Sequence, residues 1–116
     1  MEESILQTIK QLVGVNPDSD DFDLDLIIHI NSVFATLNQL GVGPKDGFEI
    51  TGSDEVWSSF TDNKKLAGIK SYMAMKVKLM FDPPQNGSVI ESYKELIREF
   101  EFRAHIEGDK EDDQND

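Results

Sequence analysis

The chain contains no cysteine, two histidines and a single tryptophan in 116 residues. Without cysteine there can be no disulfide and no thiolate-held metal. His29 lacks the helical partner a zinc-binding pair needs, because the residue four positions on is Val33. His105 falls near the expected end of a helix, where an imidazolium meets the negative end of the backbone dipole. Positive charge is scarce as well: 11 Lys and Arg face 23 Asp and Glu, for a formal net charge of −12. Binding along DNA or RNA works by displacing counterions with Lys and Arg, so nucleic-acid binding is not expected, nor is adhesion to an anionic membrane. No apolar run approaches the roughly 20 residues of a membrane span. The acidic Glu2 and Glu3 are unlike the positive start of a secretory signal. These features lead us to expect one soluble, intracellular domain with a modest core.

Catalytic signatures are missing too. There is no G-x-G-x-x-G, no P-loop and no G-x-S-x-G element. Carboxylates abound, but most fall on faces expected to meet solvent rather than converging in a pocket. We therefore expect no enzyme, no cofactor and no metal. The run Asp21-Phe22-Asp23-Leu24-Asp25 does have the 1-3-5 spacing of a calcium loop. Leu26 stands where that loop needs glycine, however, and Ser32 where it needs a bidentate glutamate. Aspartates at a helix start, capping free N–H groups, account for the run better.

What is present is helical periodicity. Ile5, Leu6, Ile9, Leu12 and Val13 trace a first helix, ended by Gly14 and then Asn16-Pro17. A second, longer helix is expected from about Asp21 to Asp23 onward. Its stripe is Phe22, Leu26, Ile27, Ile30, Val33, Phe34, Leu37 and Leu40, and Gly41 closes it. Between residues 41 and 61 the pattern changes. Gly43-Pro44 and Asp46-Gly47 are turn signals, residues 48–51 alternate like a short strand, and Ser53-Asp54-Glu55 can start a short helix carrying Val56, Trp57 and Phe60. A third long helix is expected over about residues 65–81, with Leu66, Ile69, Met73, Lys76, Val77 and Met80 on one face. Tyr72 and Leu79 lie beside that face. Asp82-Pro83-Pro84 stops it. Ser88-Val89-Ile90-Glu91 reads as a capping box that opens the return helix. The return stripe is Val89, Ile90, Tyr93, Leu96, Ile97, Phe100 and Ala104, with Gly108 expected to end the helix. The resulting fold class is all-α: a small helical bundle with a long C-terminal α-hairpin and a short β-like excursion between helices. Residues 1–106 form the domain, and the acidic residues 107–116 are expected to be a disordered tail.

Two groups stand out as candidate contact surfaces. Phe48, Ile50, Trp57 and Phe60 gather large apolar groups in the non-helical excursion, either folded back on the core or offered to a partner. Lys70, Lys76 and Lys78 are expected to face Glu91, Glu95, Glu99 and Glu101 across the hairpin, or the same acids on a neighbouring copy.

The block Ile69-Lys70-Ser71-Tyr72 through Lys76-Val77-Lys78-Leu79-Met80-Phe81-Asp82-Pro83-Pro84 resembles the signature of a family of small tailed-phage and prophage proteins. In that family a K-x-Y … K-V-[KR]-L-x-F-D-P-P helix precedes a return helix similar to residues 90–104 here. The runs Ile27-Ile28-His29-Ile30-Asn31-Ser32 and Leu37-Asn38-Gln39-Leu40-Gly41-Val42-Gly43-Pro44 are similar to the family as well, so the likeness spans about residues 5–106. Phe102 stands where the relatives usually carry tryptophan, and the acidic turn after Glu107 departs from their apolar or neutral ends. The resemblance implies a head–tail connector, also called a head-completion or adaptor protein. Such a protein would form a homo-oligomeric ring at the virion neck between the portal protein and a downstream neck or tail protein. It would be made in the host cytoplasm, as a monomer or a ring in isolation; its C-terminal segment would dock on the portal, and DNA would pass through it without specific binding. Two other readings stay open: a tail-completion or packaging accessory protein, and a small acidic DNA-mimic regulator whose carboxylates would engage a basic partner.

Overall fold

The computed structural model describes the backbone of residues 3–61 and 66–114, and side chains up to Ile106. Among these residues the chain forms five helices: α1 (Ile5–Val13), α2 (Asp23–Gln39), α3 (Trp57–Phe60), α4 (Leu66–Phe81) and α5 (Gly87–Gln114). The only strand-like pairing described is an isolated antiparallel bridge between Ser4 and Val56. Lys65, the expected start of the third long helix, lies outside the described residues, as does Glu2.

Most helix ends follow local chemistry, but α2 starts at Phe22 with no side-chain cap, so the aspartates there lie by the helix dipole without capping its free N–H groups. Ser4 caps α1 by accepting from the Gln7 N–H at 3.3 Å, and Gly14 ends it in the left-handed region at φ 87°. Gly41 closes α2 at φ 82°, while the Val42 N–H reaches back to the Leu37 carbonyl at 2.9 Å. The start of α5 corrects the capping-box expectation. Asn86, not Ser88, is the cap, its Oδ1 accepting from the Ser88 N–H at 2.8 Å. Asparagine just ahead of the first turn competes successfully for the role, which places Ser88 and Glu91 within the helix. Gly108 lies inside α5 rather than at its end. The expected tail, 107–116, falls partly on residues 115–116, outside the described part.

α1, α2 and α4 pack on one another around the core, and α5 packs on α4. The core is built from Ile5, Leu6 and Ile9 of α1, Leu26, Ile30, Val33, Phe34 and Leu37 of α2, and Ile69, Tyr72, Met73 and Val77 of α4. Lys10 sits among them at 1% exposure, its ammonium 2.8 Å from Asp23 Oδ1 and donating to the Pro17 carbonyl at 3.2 Å. A buried ammonium is tolerable only with such partners, so this pair ties the end of α1 to the start of α2. α5 differs from the other long helices. At about 1.5 Å per residue its 28 residues extend roughly 42 Å, close to the longest dimension of the molecule, 47 Å. Only Ile97 and Ala104 of its described side chains are buried.

Candidate interaction surfaces

The excursion between α2 and α4 turns inward. Phe34 of α2, Phe48 and Phe60 form a triangle of rings with centroids 4.8–5.5 Å apart, in edge and tilted arrangements suited to their quadrupoles. Gly43, at φ 90°, lies directly against the Phe60 ring; a Cβ there would come within 2.2 Å of it. Glycine is required twice over, by the left-handed backbone and by the ring. Residues 48–51 form no strand. Instead the Asn31 amide pairs with the backbone of Ile50 in both directions, receiving the Ile50 N–H at 2.8 Å and donating to its carbonyl at 3.0 Å. A side chain thus supplies the hydrogen bonds a partner strand would have given.

Trp57 is 2% exposed, and its Nε1–H donates to Thr8 Oγ1 at 3.1 Å. The Trp57 N–H donates to the Glu3 carbonyl, and the Ile5 N–H to the Glu55 carbonyl, so the start of α3 is sewn to the start of α1. The turn before α3 is held by Glu55, whose carboxylate accepts from the Thr51 hydroxyl at 2.8 Å, the Thr51 N–H at 3.0 Å and the Gly52 N–H at 3.3 Å. The Thr51 hydroxyl bond, more than any other influence, holds the Glu55 carboxyl below its ordinary pKa. Of the two fates open to the aromatic excursion, the single chain shows folding back: Ile50, Trp57 and Phe60 are buried and Phe48 is half-buried.

The three lysines separate. Lys76 does cross the hairpin, meeting Glu101 Oε2 at 3.2 Å beside the Tyr72 hydroxyl, which donates to the same oxygen at 2.7 Å. Burial first, and then the Glu101 carboxylate, push the Tyr72 phenol well above its usual pKa. Tyr72 also stacks on Phe100 with centroids 4.3 Å apart, so this cluster is the main clamp of α5 on α4. Lys70 instead pairs with Glu3 and lies 5.6 Å over the Trp57 ring. Lys78 bonds Asp82 at 3.0 Å and the Val13 carbonyl at 3.4 Å. Both project from the α1 side of α4, so the expectation that they face the α5 acids is corrected by helical phase: 70 and 78 are two turns apart on one flank, and 76 is on the other.

Exposed apolar surface lies elsewhere. On α5, Val89, Leu96, Phe102 and Ile106 are exposed, with Leu96 at 50% and Phe102 at 67%. Met80, expected on the core face, is exposed, because it lies in the shallow groove between α4 and α5 and not against α1 and α2. Phe22 and Leu24 at the start of α2 are exposed too, Phe22 laying its ring edge-on to Phe81 at 5.3 Å. Sequence reading missed these exposures, although the return stripe, wide for a single neighbour, signalled those of Val89 and Leu96. Val89 and Leu96 lie at the edge of the stripe that α4 covers, while Phe102 and Ile106 project from the other side of α5, among Glu91, Glu95 and Glu99.

Shallow grooves flank the hairpin. One of about 250 Å³ is lined by Gly68, Tyr72, Met75, Leu96, Phe100 and Arg103, among others. Another, of about 270 Å³, is lined by Lys76, Leu79, Met80, Lys94, Ile97 and Arg98. A third, of about 480 Å³, lies at the α1–α2 junction beside Phe22 and Phe81. Among the described residues no three His, Asp or Glu side chains are grouped to hold a metal ion, and no helix is long and apolar enough to cross a membrane.

No curated protein and no solved structure matches the chain. The family model described as phage connector protein matches residues 5–111, almost the whole described chain. The structure is all-helical, and the chain belongs to the phage connector protein family.

Proposed function

We propose that this connector protein is a structural component of the phage neck, forming a ring between the portal protein and a downstream neck or tail protein and leaving a passage for DNA. The observation that carries the reading is the set of exposed apolar side chains on α5, Val89 and Leu96 at the edge of the stripe packed on α4 and Phe102 and Ile106 on the side turned away from it. Apolar area of this kind, on a chain that belongs to a connector family, is suited to permanent contact with other proteins. The net charge of −12 supports a conduit: a wall rich in carboxylates repels phosphates, so a duplex can slide through without being held. The protein acts by contact and not by catalysis.

The test is to mix purified protein with portal-bearing, DNA-filled, tailless heads and to image the vertex by electron microscopy. A new ring of density below the portal is expected. An unchanged vertex, with the protein left free in solution, would refute the neck assignment.

A further inference from the structure

The groove between the end of α4 and the early turns of α5 has an apolar floor of Leu79, Met80 and Ile97. Its rim carries three cations, Lys76, Lys94 and Arg98, and no carboxylate. In a chain with 11 basic residues against 23 acidic ones, that concentration needs an explanation. Lys76 is committed to Glu101 at 3.2 Å. Lys94 meets Glu91 only at 3.9 Å, and Arg98 has no ion-pair partner among the described residues; both are exposed. The occupant that fits is a segment with apolar knobs set between carboxylates.

The chain carries such a segment. In Asp20-Asp21-Phe22-Asp23-Leu24-Asp25 the side chains of Asp20, Asp21 and Asp25 are exposed, Asp23 is held by Lys10, and Leu24 projects at 71% exposure. We propose that the basic-rimmed groove of one copy receives the acidic corner 20–25 of the next, Leu24 entering against Leu79 and Met80 while Asp21 and Asp25 meet Lys94 and Arg98. This contact rests on the ring reading above and specifies its two faces.

The placement suits a ring. The groove belongs to the α4–α5 flank and the corner to the α1–α2 junction, with α4 between them, so the two patches are different surfaces, as head-to-tail closure demands. Both also lie at the same end of the bundle, where α4 stops and α2 begins, marked by the contact of Phe22 with Phe81. Copies placed side by side through these patches stay level instead of climbing into a filament. Opposite charge at the contact also offsets the repulsion between two strongly acidic chains, so the contact weakens as salt rises.

The absence of native cysteine makes the test direct. A Leu24→Cys chain and a Met80→Cys chain, both altered at exposed positions, are mixed under mild oxidation, free in solution and on portal-bearing heads. A disulfide-linked pair is expected in the mixture on heads, well above either chain alone. Lys94→Glu with Arg98→Glu in the Met80→Cys chain should lower its yield at least about tenfold. Adding Asp21→Lys with Asp25→Lys to the Leu24→Cys chain should restore it, and circular dichroism confirms that each variant is folded. Absence of the mixed pair both on heads and in solution, or a yield indifferent to charge reversal, overturns the groove contact. Vertex density without the cross-link overturns this contact and leaves the ring standing. A charge-dependent cross-link in solution without vertex density supports the contact and removes the neck ring. Neither cross-link nor density overturns both.

Discussion

The excursion 42–60 and helix α5 hold comparable shares of the large apolar side chains, yet they handle them in opposite ways. In the excursion, irregular backbone carries Phe48 and Ile50 inward and the single turn of α3 carries Trp57 and Phe60, with side-chain bonds from Asn31, Thr8 and Glu55 holding the segment there. In α5, regular backbone presents apolar groups on more sides than its one partner covers. The segment with the least regular backbone is therefore the closed part here, and the longest helix is the part left incomplete. A loop rich in aromatics becomes core when its polar backbone groups find fixed partners; a helix satisfies its own backbone and can stand half-covered.

That contrast can be broken first at its strongest point. Trp57→Ala removes a fully packed ring and leaves Thr8 without its donor, so a loss of about 3–5 kcal/mol is expected in chemical denaturation. Gly43→Ala should be similarly damaging, about 2–5 kcal/mol, since a left-handed backbone and the Phe60 ring both oppose the methyl group. A chain that tolerated either change would show the excursion to be loosely packed. Asn31→Ala comes next, at about 1–3 kcal/mol, because the Ile50 N–H and carbonyl lose their partner. Its signature is faster amide exchange at Ile50 with little change in α5.

On α5 the expectation reverses. Phe102→Ser or Leu96→Ser should change the stability of the isolated chain by less than about 0.5 kcal/mol, as for other surface changes. The same substitutions should abolish addition to heads. Unaltered addition with full stability would place the contact elsewhere.

Two titrations sharpen the comparison with smaller effects. Glu55 has a folded pKa below its unfolded value, so its contribution is present above about pH 4.3 and is lost as pH falls through the lower folded value. Acid should therefore release the Thr51 and Gly52 amides first, as read by NMR, and Glu55→Gln should remove that dependence. Tyr72 is raised instead. Its contribution is full below about pH 10 and falls as pH rises above that toward the folded value. The denaturation midpoint should decline there, and Tyr72→Phe should flatten the decline.

Most of the helical frame was legible because it depends on local rules: stripes at helical spacing, Gly14 and Gly41 at helix ends, and the double proline that breaks the hairpin. What was not legible depended on tertiary choice. Asn31 gives no sequence sign that it will stand in for a strand, and Lys10 reads as a surface lysine until Asp23 and Pro17 close over it. The phase of Lys70 and Lys78 could have been read, since 70, 74 and 78 share a flank distinct from that of 76. The coverage of α5 could not, because periodicity reports which face is apolar and not how much of it a neighbour will cover.

The most direct test of the central contrast is hydroxyl-radical footprinting of the protein, free and bound to portal-bearing heads. The account predicts that Met80, Leu96 and Phe102 are oxidised in the free chain and protected on the heads, while Trp57 and Phe60 stay unreactive in both. A Trp57 that reacts when free and is shielded on binding, with Leu96 and Phe102 unchanged, would contradict it and return the contact to the aromatic excursion.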